Sequence, residues 1–190
     1  MTSLRASLRR RLLSRSKATA KGPRRRPPGD LLVTAPKVQQ GFWCMDQLAP
    51  GCGVANVSRS WRIDGDFEPD RCHQALIALT EKHDCLRCGL HLRDGALQMA
   101  ISEQKDPDFA QVDLRQPGDM PSCGEAEKKA EAIMATESLR AFDLGADPLL
   151  RLRAYRVGDQ AWLLHLVYHH AIMDGWSVGQ FCEELGQLYG

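Results

Sequence analysis

The chain has 190 residues, of which 43% are hydrophobic and 26% charged, with a net charge of +1. That length is ample for a hydrophobic core, and no run approaches the ~20 apolar residues that a membrane span requires. Ten of the 25 Lys and Arg lie in residues 1–29, which hold no Asp or Glu; the other 15 face 24 acidic residues, so residues 30–190 carry a net of −9 and show no bias toward nucleic acid.

Residues 1–30 read as a basic, disordered leader, and residues 31–190 as one folded domain. Leu4, Leu8, Leu12 and Leu13 can line one face of a short helix with arginines opposite, which also suits an organelle transit peptide. The run Arg24-Arg25-Arg26 suits nuclear import or an anionic surface, and nothing nearby decides among these. Seven cysteines, at 44, 52, 72, 85, 88, 123 and 182, are odd in number and scattered. They do not form a disulfide framework, and no secretory apolar segment precedes them, so a reducing, intracellular and cytoplasmic setting is expected.

The domain opens with a short amphipathic helix over 36–48, on which Val38, Phe42, Met45 and Leu48 recur at three- and four-residue spacing. Pro36 suits the first turn and Pro50-Gly51 ends it. A strand follows over 54–63, closed by the turn Asp64-Gly65-Asp66. Residues 69–83 are helical, with Cys72, Ala75, Leu76 and Leu79 inward. Strands over 86–92 and 96–101 flank Arg93-Asp94-Gly95 as a hairpin. Residues 107–121 are loop-rich, with one short strand near Val112.

A second long helix covers 125–139, with Ala126, Ala130, Ile133, Met134 and Leu139 as its buried positions. Strands over 149–157 and 161–168 flank Gly158-Asp159. The second is apolar on both faces, as a central strand covered on both sides would be. Arg151 and Arg153 alternate with Leu150 and Leu152, the pattern of a half-exposed strand. A closing helix carries Val178, Phe181, Cys182, Leu185 and Leu188. Strands interleaved with helices indicate an α/β layered domain.

The chemistry concentrates at Tyr168-His169-His170-Ala171-Ile172-Met173-Asp174-Gly175-Trp176-Ser177, where a strand stops and a helix starts. Histidine takes and returns a proton near neutral pH. If the strand runs through them, His169 and His170 point to opposite faces, one to the core and one to a cleft. Asp174 can fix the backbone or a cation, and Gly175 permits a sharp exit. His165, on the same strand, reads as structural. Cys85 and Cys88 with His83 and His91 offer zinc-ligand types, but Leu86 and Arg87 between them read as strand residues, and no metal is assigned. Trp43, Trp61, Trp162 and Trp176 read as packing residues.

The segment His169 to Gly175 resembles the His-His-x-x-x-Asp-Gly signature of the condensation domains of nonribosomal peptide synthetases, in the superfamily of chloramphenicol acetyltransferase. Other segments are similar in order. Gln39 and Trp43 hold the Gln and Trp places of the opening motif. Asn56-Val57 stands on the first strand, and Lys82 to Cys88 resembles Arg-His-x-x-Leu-Arg-Thr. Phe142-Asp143-Leu144 and Pro148-Leu149-Leu150-Arg151 precede the histidines. Lys82, Cys88 and Leu90 depart from the usual Arg, Thr and Phe.

The resemblance implies an α/β two-layer sandwich with a mixed β-sheet and packed helices, a chloramphenicol acetyltransferase-like half-domain. It covers only the N-terminal half of a full condensation domain, so the C-terminal half is expected as a missing partner. By position, His170 and His169 are the catalytic pair, with His170 the general base or the group that positions the amine. Asp174, Arg87 and Gly175 are structural at the site, and Asp174 is expected to pair with Arg87. The implied reaction is amide formation between thioester substrates on donor and acceptor carrier proteins. Those substrates are phosphopantetheine-linked, with no cofactor bound directly and no metal. An O-acyltransferase of the wax ester synthase/diacylglycerol acyltransferase type, using acyl-coenzyme A, is one alternative. A non-catalytic half-domain that binds carrier proteins is the other.

Overall fold

The structure is a computed structural model that describes residues 31–115 and 123–190. The leader expected over residues 1–30 lies outside the described residues. The elements, in order, are β1 (Leu31–Thr34), α1 (Lys37–Leu48), β2 (Asn56–Asp64) and α2 (Pro69–Lys82). A 3-10 turn (Asp84–Arg87) leads to β3 (Cys88–Arg93), β4 (Ala96–Ile101), β5 (Asp108–Asp113) and α3 (Cys123–Leu139). Then come β6 (Leu150–Gly158), β7 (Ala161–His169) and α4 (Gly175–Tyr189).

Two sheets form. The smaller has the order β1-β4-β3 and is antiparallel throughout. The larger has the order β2-β7-β6-β5, with β5 parallel to β6 and the other pairs antiparallel. This is the mixed sheet of an α/β domain. The apolar run of β7 is explained by its central place. Leu152, Ala154, Leu164 and Leu166 cluster with Leu76 and Leu79 of α2 and with Phe181 and Leu185 of α4. Alternate positions, Tyr155, Val157 and Leu163, cluster with Ala130 and Met134 of α3. Side chains of successive strand residues point to opposite faces, so helices lie against both faces of this sheet. Leu152 and Leu166 are fully buried at its centre; removing either side chain to Ala would cost about 2–5 kcal/mol.

Three expectations are corrected. Leu86 and Arg87 lie in the 3-10 turn rather than in a strand. Helix α1 is rotated from the face its apolar spacing suggested: Asp46 is buried and Phe42 and Trp43 pack on the core, while Val38, Met45 and Leu48 are exposed. Leu139 and Trp176, read as buried, are 68% and 74% exposed.

Candidate active site

The site is built where β7 ends. The His169 backbone N–H still donates to Leu149 O on the β6 side, the last tie of the strand (2.9 Å). One residue later the His170 N–H donates to Ala55 O, just before β2 (2.9 Å). The chain then turns, with Ile172 N donating to His169 O (3.1 Å). Ala171, Ile172 and Met173 are all buried. The three spacers between His170 and Asp174 thus plug the apolar core, and their burial fixes the turn in place.

The strand stops at His169 and His170 lies in the turn after it, so alternation does not carry through the pair; the two differ in burial, and both rings meet Phe42. His169 is fully buried. Its Nδ1 accepts from the Ala171 N–H (3.2 Å), which demands a lone pair there and places the ring proton on Nε2. Nε2 has no partner. The rings of Phe42 and Phe142 meet His169 edge to face, each at 6.3 Å between centroids. Burial, and then the neighbouring His170, push the His169 pKa down to about 4. It is therefore a neutral, internal ring. His170 is half-buried. Its ring stacks on Phe42 of α1 at 4.8 Å and 15°. Gln39, one turn earlier on α1, donates from Nε2 to Ala171 O (3.2 Å), while its Oε1 is buried with no hydrogen-bond partner among the described residues. Helix α1 therefore clasps both sides of the turn.

Asp174 is the N-cap of α4. Its Oδ1 accepts from Trp176 N (3.1 Å), Ser177 N (2.8 Å) and Ser177 Oγ (2.8 Å). These bonds satisfy amides left free at a helix start. They hold the carboxyl below its usual range, the Ser177 bonds most. Arg87 lies elsewhere in the bonding pattern. Its Nη1 donates to Thr80 O and Glu81 O in the last turn of α2, Nε to Ser102 O and Nη2 to Asp84. The expected Asp174–Arg87 pair is corrected on this point: the 3-10 turn folds Arg87 back over the end of α2, and Asp174 spends its acceptor on the amides of its own helix. A Cβ built on Gly175 would meet nothing within 4 Å, and its φ is not positive. The sharp exit thus does not itself demand glycine.

The zinc-type residues are engaged otherwise. His83 Nε2 and Lys82 Nζ both reach Glu184 on α4 (2.7 and 2.9 Å). The Cys88 thiol donates to Cys85 O. Among the described residues no group of three or more His, Cys, Asp or Glu is placed to hold a metal ion. His165 is buried between Ser60 Oγ at Nδ1 (2.8 Å) and Ser138 Oγ at Nε2 (3.2 Å), tying β7 to α3. No described helix is long and apolar enough to cross a membrane.

Sequence reasoning missed Phe42 and Phe142 as neighbours of the histidines. Both read as ordinary apolar positions, and the only signal was their place in ordered motifs. Arg151 was misread as well. It is 1% exposed rather than half-exposed.

Comparison with known proteins bears on this geometry. A family model described as Condensation domain matches residues 32–190. Phosphinothricin tripeptide synthetase PhsC of Streptomyces viridochromogenes is 36% identical over 175 residues, covering 90% of this chain and 16% of that protein. Cyclosporin synthetase simA of Tolypocladium inflatum is 33% identical over 157 residues, covering 80% of this chain and 1% of that protein. Among solved structures, the starter condensation domain of rhizomide synthetase RzmA superposes with a TM-score of 0.74 at 23% identity, over 84% of this chain and 37% of that one. The chain spans a small part of these synthetases and about a third of the solved chain.

Proposed function

Because this chain belongs to the condensation-domain family, we propose that it supplies the histidine-bearing half of an acyltransferase that forms amide bonds in nonribosomal peptide synthesis. The observation that carries this reading is the difference in burial between the two adjacent histidines. His169 is sealed and neutral, while His170 is half-buried, stacked on Phe42 and tied by its backbone N–H to Ala55 O.

In the proposed reaction an amine tethered to one carrier protein attacks the thioester carbonyl of an acyl group tethered to another. The C–N bond forms as the C–S bond breaks. The attacking nitrogen must shed a proton, and the departing sulfur must gain one. A neutral imidazole at His170 takes the first and can deliver the second, so protons balance with no external acid. A thioester is already activated. Orientation of two tethered reactants therefore supplies much of the acceleration. His169 does not touch substrate in this reading. Asp174 and the buried 171–173 plug set the turn, and phosphopantetheine arrives with the carriers rather than residing in the fold.

The partner surface follows from exposure. Val38, Met45 and Leu48 of α1, Val54 beside Ala55, and Trp176 at the start of α4 are exposed apolar residues on segments that meet the His170 turn. A second α/β half closing over them would bury that area and complete a channel around His170. The test is reconstitution. The chain is joined to a condensation-domain C-terminal half and given loaded donor and acceptor carriers, with amine and alcohol acceptors side by side. Amide product with the joined protein, and none with the chain alone, is expected. Ester product alone would replace this reading with the O-acyltransferase one. Carrier binding without either product would replace it with a docking role.

A further inference from the structure

The guanidinium of Arg151, in the first half of β6, is sealed from water at 1% exposure. Burying a permanent charge is unfavourable unless its donors are used. Those donors converge on one short segment that links α3 to β6. Nη1 donates to Arg140 O and Nη2 to Ala141 O, each at 2.7 Å. The guanidinium carbon lies 3.7 Å from the centroid of the next residue's ring, Phe142. The nearest carboxylate atom, on Asp108, is 3.8 Å from Nε. The guanidinium therefore serves first as a clamp on residues 140–142 and only second as an ion-pair partner.

The clamp has a counterpart across β7. Asn56 on β2 donates from Nδ2 to Ser138 O and to the same Arg140 O, each at 3.0 Å. Asn56 stands opposite His169 in the β2–β7 register, and Arg151 stands opposite Val167 in the β6–β7 register. Since β7 lies between those strands, the segment is strapped over the end of β7 from both sides. All three residues share one face of the sheet. The strap delivers Phe142 against the His169 ring at 87°. His169 in turn takes the Ala171 amide at Nδ1, at the turn that carries His170.

We propose that Arg151 is a positioning residue: through the 140–142 strap and Phe142 it fixes the ring of His169, and through His169 the turn that presents His170. The proposal rests on the reading of His170 as the proton-handling group. Arginine is required because a planar fork can bond two carbonyls while its face lies on an aromatic ring; lysine keeps the charge but has neither the fork nor the plane. Asp108 bonds Arg153 directly at 2.8 Å, and Arg153 donates to carbonyls at 108 and 152 rather than to the strap. Arg153 is thus a matched control on the same strand and face.

The experiment reads the imidazoles of the whole chain by NMR after labelling histidine with 15N. In the unaltered protein His169 shows one tautomer, with Nε2 protonated, and the His170 ring protons carry the ring-current shift of Phe42. In Arg151→Lys the single-tautomer signature of His169 is lost and the His170 ring-current shift collapses. In Arg153→Lys both persist. Phe142→Leu leaves the guanidinium bonds in place and reproduces the His169 change. Folded Arg151→Lys protein with both signatures intact overturns the proposal. So does an equal disturbance in Arg153→Lys, which would mean that Arg151 acts only through general stability. If Arg151→Lys does not fold, Phe142→Leu decides, and an unchanged His169 there overturns it. Turnover of His170→Ala in the chain joined to a C-terminal half tests the base independently, so failure of the strap and failure of that reading are seen separately.

Discussion

Protonation of His169 should make the fold lose stability as pH falls, in a window set by one buried ring. Its folded pKa is pushed from 6.5 down to about 4, so the unfolded chain binds this proton more readily than the folded one. Stability is therefore fully present above the unfolded value and declines as pH falls through 6.5 toward 4. A second cause acts in the same direction: a doubly protonated ring cannot accept the Ala171 amide. Between about pH 7 and pH 5 the expected loss from this residue is roughly 2 kcal/mol, at 1.36 kcal/mol per unit over about 1.5 units. Carboxylates whose pKa is lowered, such as Glu137 and Glu184, titrate below that window and do not contaminate it. His165 contributes with the same sign, since burial lowers its pKa too. The assay is urea unfolding followed by tryptophan fluorescence at both pH values, for the unaltered chain and for His169→Asn, which retains an acceptor. The variant is expected to be less stable at pH 7 but to lose about 2 kcal/mol less between the two pH values. Equal losses in the two proteins would refute the account of His169 as a neutral internal ring.

Other outcomes follow from the same bonds. Asp174→Ala removes three hydrogen bonds at the start of α4 and is expected to lower the thermal midpoint, with Asp174→Asn restoring much of it, since both residues cap well. Arg87→Met strips two carbonyls at the end of α2 of their donor and is expected to cost about 2–3 kcal/mol in urea unfolding. The two substitutions should add in a double-mutant cycle to within about 0.5 kcal/mol; stronger coupling would restore the direct pair that the bonding pattern argues against. Gly175→Ala adds a methyl into open space and is expected to shift stability by no more than about 0.5 kcal/mol.

Much of this architecture was legible because its signals were local and periodic. The α2 face of Cys72, Ala75, Leu76 and Leu79 is buried as its spacing indicates. The Asp94-Gly95 turn has positive φ at both residues, as a tight hairpin needs. Strand β1 was missed because its four residues lack alternation and exist as a strand only through pairing with β4. Helix α1 was misoriented for a related reason. Its strongest apolar stripe is not its buried face, since Gln39 and Phe42 are committed to the 169–171 turn. Of the site, the unequal burial of His169 and His170 was legible at the strand's end, but not their shared contact with Phe42, which a helix distant in sequence supplies. The Asp174–Arg87 pair could not be judged from the sequence, because the 3-10 turn that redirects Arg87 leaves no periodic trace. The alternation around Arg151 concealed its burial, which depends on backbone carbonyls at 140 and 141 supplied by an irregular segment.

The imidazole of His170 carries the proposed chemistry, and turnover measures its role most directly. The chain completed with a C-terminal half, supplied with loaded donor and acceptor carriers, should form amide product at a steady rate. His170→Ala in that protein should lower the rate by about 10²–10⁴-fold, the range for loss of a positioned general base, with the thermal midpoint unchanged. A folded His170→Ala protein that forms amide as fast as its parent would contradict the account.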